Sequence, residues 1–150
     1  SRMLNQEDMR EYSFAEIQVG MVESFSRKIT KEMEEVFRNL TDDRNPLHKD
    51  DTFAEEIGRG KFRGHVVFGM LTAAFYSTLA GMYLPGKYSL IHSFEGLSFI
   101  QPVYVGDTLH IRGEVIEKEE SLQVIRVKAS IRNQEGELVS KARMKILVMR

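Results

Sequence analysis

The stretch Gly69-Met70-Leu71-Thr72-Ala73-Ala74-Phe75-Tyr76-Ser77-Thr78-Leu79-Ala80-Gly81-Met82-Tyr83 is apolar on almost every side when wound as a helix. A helix of that kind has no face for water and must be buried all round. Pro85-Gly86 ends it. Beyond it the pattern changes. Residues 88–99, 107–118, 122–133 and 138–149 are rich in β-branched, aromatic and alternating residues. Breaks fall at Pro102, Gly106-Asp107, Glu119-Glu120-Ser121 and Asn133-Gln134-Glu135-Gly136. That is a run of antiparallel strands joined by short turns. A long sheet wrapped around the apolar helix would bury it, and a second copy of the chain could cover what the sheet leaves open.

Upstream, residues 22–29 alternate imperfectly and read as a first strand, with Phe25, Arg27 and Ile29 on one face. Thr30 can cap a helix whose first turn carries Glu32, Glu34 and Glu35, where carboxylates meet the positive end of the dipole. Met33, Val36, Phe37 and Leu40 recur at helical spacing and are expected in the core. Asp50 or Asp51 can start a short helix through Ile57, and Gly58, Gly60 and Gly64 mark an irregular connection after it. Strand, helices, one apolar helix and four strands make an α+β order.

Bulk properties narrow the function. With 42% hydrophobic and 29% charged residues the chain is an ordinary globular one. A net charge of -1 leaves no basic excess to neutralise phosphates, so nucleic acid is not expected as a partner. The absence of cysteine removes disulfides, thiolate nucleophiles and Cys-type metal sites, and fits a reducing cytoplasm. The apolar run Val66 to Leu84 approaches the roughly 20 residues of a membrane span, but its hydroxyl groups and unbiased flanks favour a buried helix, so no membrane is expected. The polar start carries no apolar signal core, and Ser1-Arg2 before Met3 reads as a remnant of expression cloning.

Chemistry concentrates at Asp43-Arg44-Asn45-Pro46-Leu47-His48. Pro46 disfavours the α conformation at Asn45, so this is a loop. A helix would splay residues five apart, whereas a loop can bring Asp43 and His48 together. Asp and His can then hold and activate a water, with His suited to work near neutral pH. Asn45 can bridge loop backbone groups. The residue types by themselves favour a second reading, since D-x-N-P is common turn chemistry: an Asx-type turn carrying an exposed His.

The stretch Phe37-Arg38-Asn39-Leu40-Thr41-Asp42-Asp43-Arg44-Asn45-Pro46-Leu47-His48, with Ala54 after it, resembles the hydratase-2 signature of the MaoC-like dehydratases, which include the (R)-specific enoyl-CoA hydratases. Gly69-Met70-Leu71-Thr72-Ala73, Leu84-Pro85-Gly86 and Leu97 through Asp107 resemble later segments of that family, so the likeness covers roughly residues 15–149. It implies a hotdog fold over residues 15–150 after an N-terminal extension of residues 1–14. It also implies a homodimer or dimer of dimers, and an acyl-CoA or acyl-carrier-protein thioester as substrate. By the same resemblance Asp43 and His48 activate the water that adds to a 2-enoyl thioester, or leaves in the reverse dehydration. Asn45 supports the loop, and the Gly69 backbone N–H polarises the thioester carbonyl. A helix N-terminus suits that role, offering free N–H groups and a positive dipole to an enolate-like oxygen.

Three positions depart from the family's pattern: Asp42 for its Gly, Phe68 for its His before the helix-start Gly, and Ala74 for a Ser found in some members. They bear on substrate choice more than on reaction type. A hotdog thioesterase and a non-catalytic thioester-binding subunit remain as alternatives. His65 is expected as a structural loop residue, and His92 and His110 as satisfied strand residues. Lys61 and Arg63 read as solvated loop charges. Neither H-x-x-x-H nor H-E-x-x-H is present, nor is a phosphate-binding glycine fingerprint or Gly-x-Ser-x-Gly, so no metal, cofactor or serine nucleophile is expected.

Overall fold

A computed structural model describes residues 8–150; the expected cloning remnant falls in residues 1–7, outside the described residues. Strand β1 is Val22–Lys28, α1 Lys31–Thr41, α2 Asp51–Gly58 and α3 Gly69–Thr78. Helix α3 runs directly into a π-helical turn, Leu79–Tyr83. Strands β2 Ser89–Phe99, β3 Thr108–Glu119, β4 Val124–Arg132 and β5 Leu138–Val148 complete the chain. All five strands form one antiparallel sheet in the order β1-β3-β4-β5-β2. This is the α+β, sheet-on-helix arrangement of a hotdog fold.

The core lies between the sheet's inner face and α3. Leu109, Ile111, Val115, Val127, Ile131, Met144 and Ile146 are fully buried together with Tyr76 and Leu79. Each fully buried aliphatic side chain of this size contributes about 1.5–3 kcal/mol. Gly113 on β3 shows how close the helix comes. A Cβ there would meet Leu79 Cδ2 at 2.8 Å and Val127 Cγ1 at 3.0 Å, so the missing side chain is the seat for Leu79. One polar chain ties helix to sheet: Tyr76 Oη donates to Ser140 Oγ at 2.9 Å, and Ser140 Oγ donates to the Ser98 carbonyl at 2.9 Å. Burial lifts the Tyr76 pKa to about 12, so it stays a donor across the working range.

One expectation is left to a second copy and one is corrected. Within the protomer helix α3 is not covered all round. Met70 is 60% exposed, and Ala74 and Ser77 follow it on the same open stripe. A single sheet can cover only one side of a helix, so the apolar character of this stripe is not explained by the protomer's own core. Next to the helix lies the free edge of the sheet, where Phe94 of β2 is 39% exposed and sits beside Tyr76 at 6.2 Å.

The correction concerns α1. Thr30 caps it as expected, its Oγ1 accepting from the Met33 N–H at 3.3 Å. Met33 and Phe37 pack against the core, but Val36 and Leu40 are 67% and 79% exposed. The inward face instead carries Glu34 and Arg38, both buried. Apolar spacing located a stripe, but the helix is rotated to bring these two charged residues inward.

Candidate functional site

The loop after α1 is built by short-range polar contacts. Asp42 closes the helix in the left-handed conformation (φ 59°, ψ 22°), with its N–H on the Arg38 carbonyl at 2.8 Å. A left-handed residue here gives a physical reason for a glycine at this point. Asp is among the few other residues that tolerate it. Asp43 Oδ1 then accepts the Asn45 N–H at 3.1 Å, and Asn45 Oδ1 accepts the Leu47 N–H at 2.9 Å. Asn45 is extended (ψ 125°), as Pro46 requires, and Pro46–His48 makes one 3-10 turn. The Asx turn is therefore present as local structure, and it delivers His48 inward.

His48 is fixed on three sides. Its Nδ1 lies 2.8 Å from the Val66 carbonyl oxygen. A carbonyl only accepts, so Nδ1 carries the proton and Nε2 of the neutral ring is left as a proton acceptor. The ring lies on Phe68 with centroids 4.3 Å apart. Arg38 Nη2 donates to the His48 carbonyl at 2.9 Å, and its guanidinium lies over the Phe68 ring, 5.5 Å from the centroid. Phe68, where the resemblance led to a histidine, is thus the buried shelf on which His48 rests.

Beside His48 opens a cavity of about 290 Å³, lined by His48, Gly69, Thr72, Gln101 and an apolar wall that includes Phe99 and Val103. Gly69 begins α3, and no side chain caps this N-terminus, so its first N–H groups are free of side-chain acceptors. The Phe99 ring lies across Gly69; a Cβ there would meet Phe99 Cε1 at 3.2 Å. The structure therefore brings His48 and Gly69 to one cavity. Asp43 stays on the exposed part of the loop and is not among the lining residues; its Oδ1 serves the turn. Asn45 is likewise exposed and supports the loop through Leu47.

A second polar cluster lies behind the loop, at residues whose pairing the sequence does not announce. His65 Nδ1 is 2.6 Å from Asp51 Oδ1, and its Nε2 is 3.0 Å from Glu34 Oε1. Both neighbours are acceptors, so both ring nitrogens must donate, which is the imidazolium form. Burial opposes that charge, but the hydrogen bonds to Asp51 and Glu34 outweigh it and hold the His65 pKa above its ordinary value near 6.5. A raised folded-state pKa contributes stability that is complete below the unfolded value and is lost as pH rises through the folded one. The melting temperature of the wild type is accordingly expected to fall more than that of His65→Gln between about pH 6 and about pH 9. Parallel pH profiles for the two proteins would show that His65 is neutral in the fold.

The remaining candidates are accounted for locally. His110 Nδ1 lies 2.7 Å from Ser26 Oγ, and His92 Nδ1 lies 2.9 Å from Ser93 Oγ. Arg63 covers the Tyr104 ring at 4.0 Å. No helix among the described residues is long and apolar enough to cross a membrane.

A family model described as MaoC like domain matches residues 14–136. Among curated proteins, an (R)-specific enoyl-CoA hydratase of Aeromonas caviae is 35% identical over 122 residues, which is 81% of this chain and 88% of that one. A 3-hydroxybutyryl-CoA dehydratase of Methylorubrum extorquens is 31% identical over 110 residues, 73% of this chain and 68% of that one. Among solved structures, the unliganded R-hydratase of Pseudomonas aeruginosa superposes with a TM-score of 0.83 at 28% identity, covering 93% of this chain and 87% of its own. The (R)-hydratase of A. caviae superposes with a TM-score of 0.80 at 32% identity, covering 88% of this chain and 97% of its own.

Proposed function

The chain belongs to the MaoC-like domain family, and from that premise we propose that it adds water reversibly across the double bond of a 2-enoyl thioester, giving a 3-hydroxyacyl thioester. One observation supports this reading above the rest. The His48 ring, its Nδ1 proton committed to Val66, lines the same cavity as the uncapped start of α3 at Gly69.

In the hydration direction His48 Nε2 takes a proton of the water as its oxygen bonds to C3. Asp43, exposed and with Oδ1 held in the turn, would position that water through its other carboxylate oxygen on turning toward the cavity. Electron density moves to the thioester oxygen, which the Gly69 N–H and the positive end of α3 stabilise as an enolate. The proton then returns to C2, so water is added and nothing is oxidised or reduced. Dehydration runs the same steps backward.

The substrate would be carried on CoA or on acyl carrier protein, as the relatives' names describe for those proteins. The open stripe of α3 and the edge of β2 fit a homodimer, in which a second copy covers Met70 and Phe94. We take residues 15–150 as one domain acting in the cytoplasm.

The test is to incubate the protein with crotonyl-CoA while following enoyl absorbance and free thiol separately. Saturable loss of absorbance without thiol is expected. Thiol release with the enoyl band intact would replace this reading with a thioesterase. Silence in both channels across a panel of chain lengths would leave a binding subunit.

A further inference from the structure

Thr72 is the third residue after Gly69 on α3, so the two share a face of the helix, and both line the cavity beside His48. Its side chain is buried, with the residue 2% exposed, and its Oγ1 has no hydrogen-bond partner in the protein. A threonine inside a helix ordinarily satisfies its hydroxyl on the carbonyl four residues back. Here that carbonyl is Phe68, and it already accepts the N–H groups of Leu71 at 3.1 Å and Thr72 at 3.2 Å, one for each lone pair. The polar residues of the same wall, His48 and Gln101, make no hydrogen bond to the hydroxyl either. Buried hydroxyls without partners are rare because they weaken the fold, and each calls for an explanation. In a substrate cavity the explanation is a partner that arrives with the ligand, as the wall that closes Oγ1 from solvent gives way to it.

The geometry points to the oxygen on C3: we propose that the Thr72 hydroxyl hydrogen-bonds this oxygen, as water in hydration and as the 3-hydroxyl in dehydration, and so is a positioning residue for the reaction. The inference rests on the hydratase reading above. In that reading the thioester oxygen is already held at Gly69. Three residues of helix rise by about 4.5 Å, a spacing suited to the two oxygens of a 3-hydroxyacyl group, which are separated by three carbons. A hydroxyl can donate to the oxygen of water or alcohol, or accept from it, so it serves both directions of the reaction without changing charge.

Thr72→Val keeps the shape and removes the hydroxyl; Thr72→Ser keeps the hydroxyl. Thr72→Val is expected to melt at or above the wild-type temperature, since it removes an unpartnered buried polar group. Its kcat/KM should fall by about 10- to 100-fold in both directions, the loss of one substrate hydrogen bond. Thr72→Ser should stay within about threefold of wild type on the same scale. Calorimetric titration supplies a readout independent of turnover: wild type should bind 3-hydroxybutyryl-CoA more tightly than butyryl-CoA, and Thr72→Val should bind them alike. A lower melting temperature in Thr72→Val would assign the hydroxyl to the fold and overturn the proposal. Wild-type kinetics in Thr72→Val, or an undiminished preference for the 3-hydroxy ligand, would also overturn it. A wild type that prefers the 3-hydroxy ligand but turns over no thioester would instead defeat the hydratase reading and leave the contact standing.

Discussion

His48→Ala is expected to lower kcat/KM for hydration of a 2-enoyl thioester by about 10²–10⁴-fold, the range lost with a positioned general base. The loss should fall mainly on kcat, because the imidazole acts on water while the apolar wall of the cavity binds the acyl group. Asp43→Asn is the more incisive companion. Asn presents the same oxygen to the Asn45 N–H and tolerates the same turn, so the loop should keep its shape and the melting temperature its value. Only the carboxylate is lost. A fall of similar size with an unchanged melt would place Asp43 in the chemistry. A variant with normal rates would confine it to the turn, the second reading that its residue type left open.

Gly86→Ala should be the most damaging small change to the fold. Gly86 has φ +94°, and a Cβ there would meet the Arg10 carbonyl oxygen at 2.1 Å and the Arg10 carbonyl carbon at 2.7 Å. Both are backbone atoms, held where Lys87 N–H donates to the Arg10 carbonyl and Arg10 N–H donates to the Met82 carbonyl. Neither can swing aside as a side chain would. The unfavourable φ contributes about 1–2 kcal/mol and the collision about 1–3 kcal/mol. Together they are a large share of the roughly 5–15 kcal/mol that holds a domain folded. Urea denaturation checks the figure. Gly106→Ala serves as its control, because Gly106 has a similar φ of +97° with no atom within 4 Å of the added carbon. That variant should lose only the conformational share. Equal losses in the two would mean that the segment at Arg10 gives way.

The sheet and its helix were legible because their signals are local. The alternation in β3, β4 and β5 and the apolar run from Gly69 survive any detail of packing. So does the loop at Pro46, whose effect on Asn45 is steric and short-range. What escaped depends on partners far off in sequence. Val36 and Leu40 have core-like side chains yet face outward, since periodicity shows that a stripe exists without fixing the helix's rotation about its axis. Glu34 looked like first-turn surface charge, and only its meeting with His65, 31 residues on, makes a buried carboxylate tolerable. Thr72 passed as one small residue among several. Its significance appears only when the Phe68 carbonyl is seen to be fully occupied.

The order of strands in the sheet also sets the order in which the molecule can assemble. The meander of β3, β4 and β5 is closed by short turns, so its pairings need little loop entropy. The outer strand β1 has no such advantage. Lys28 must find Thr108, 80 residues later, and Val22 must find Glu114. Contacts of that separation form slowly and depend on structure already in place. Asp43, His48 and Gly69 all lie within the long loop that this pairing closes. A chain that has gained most of its sheet can therefore still be chemically silent, and catalytic competence is among the last properties that folding confers.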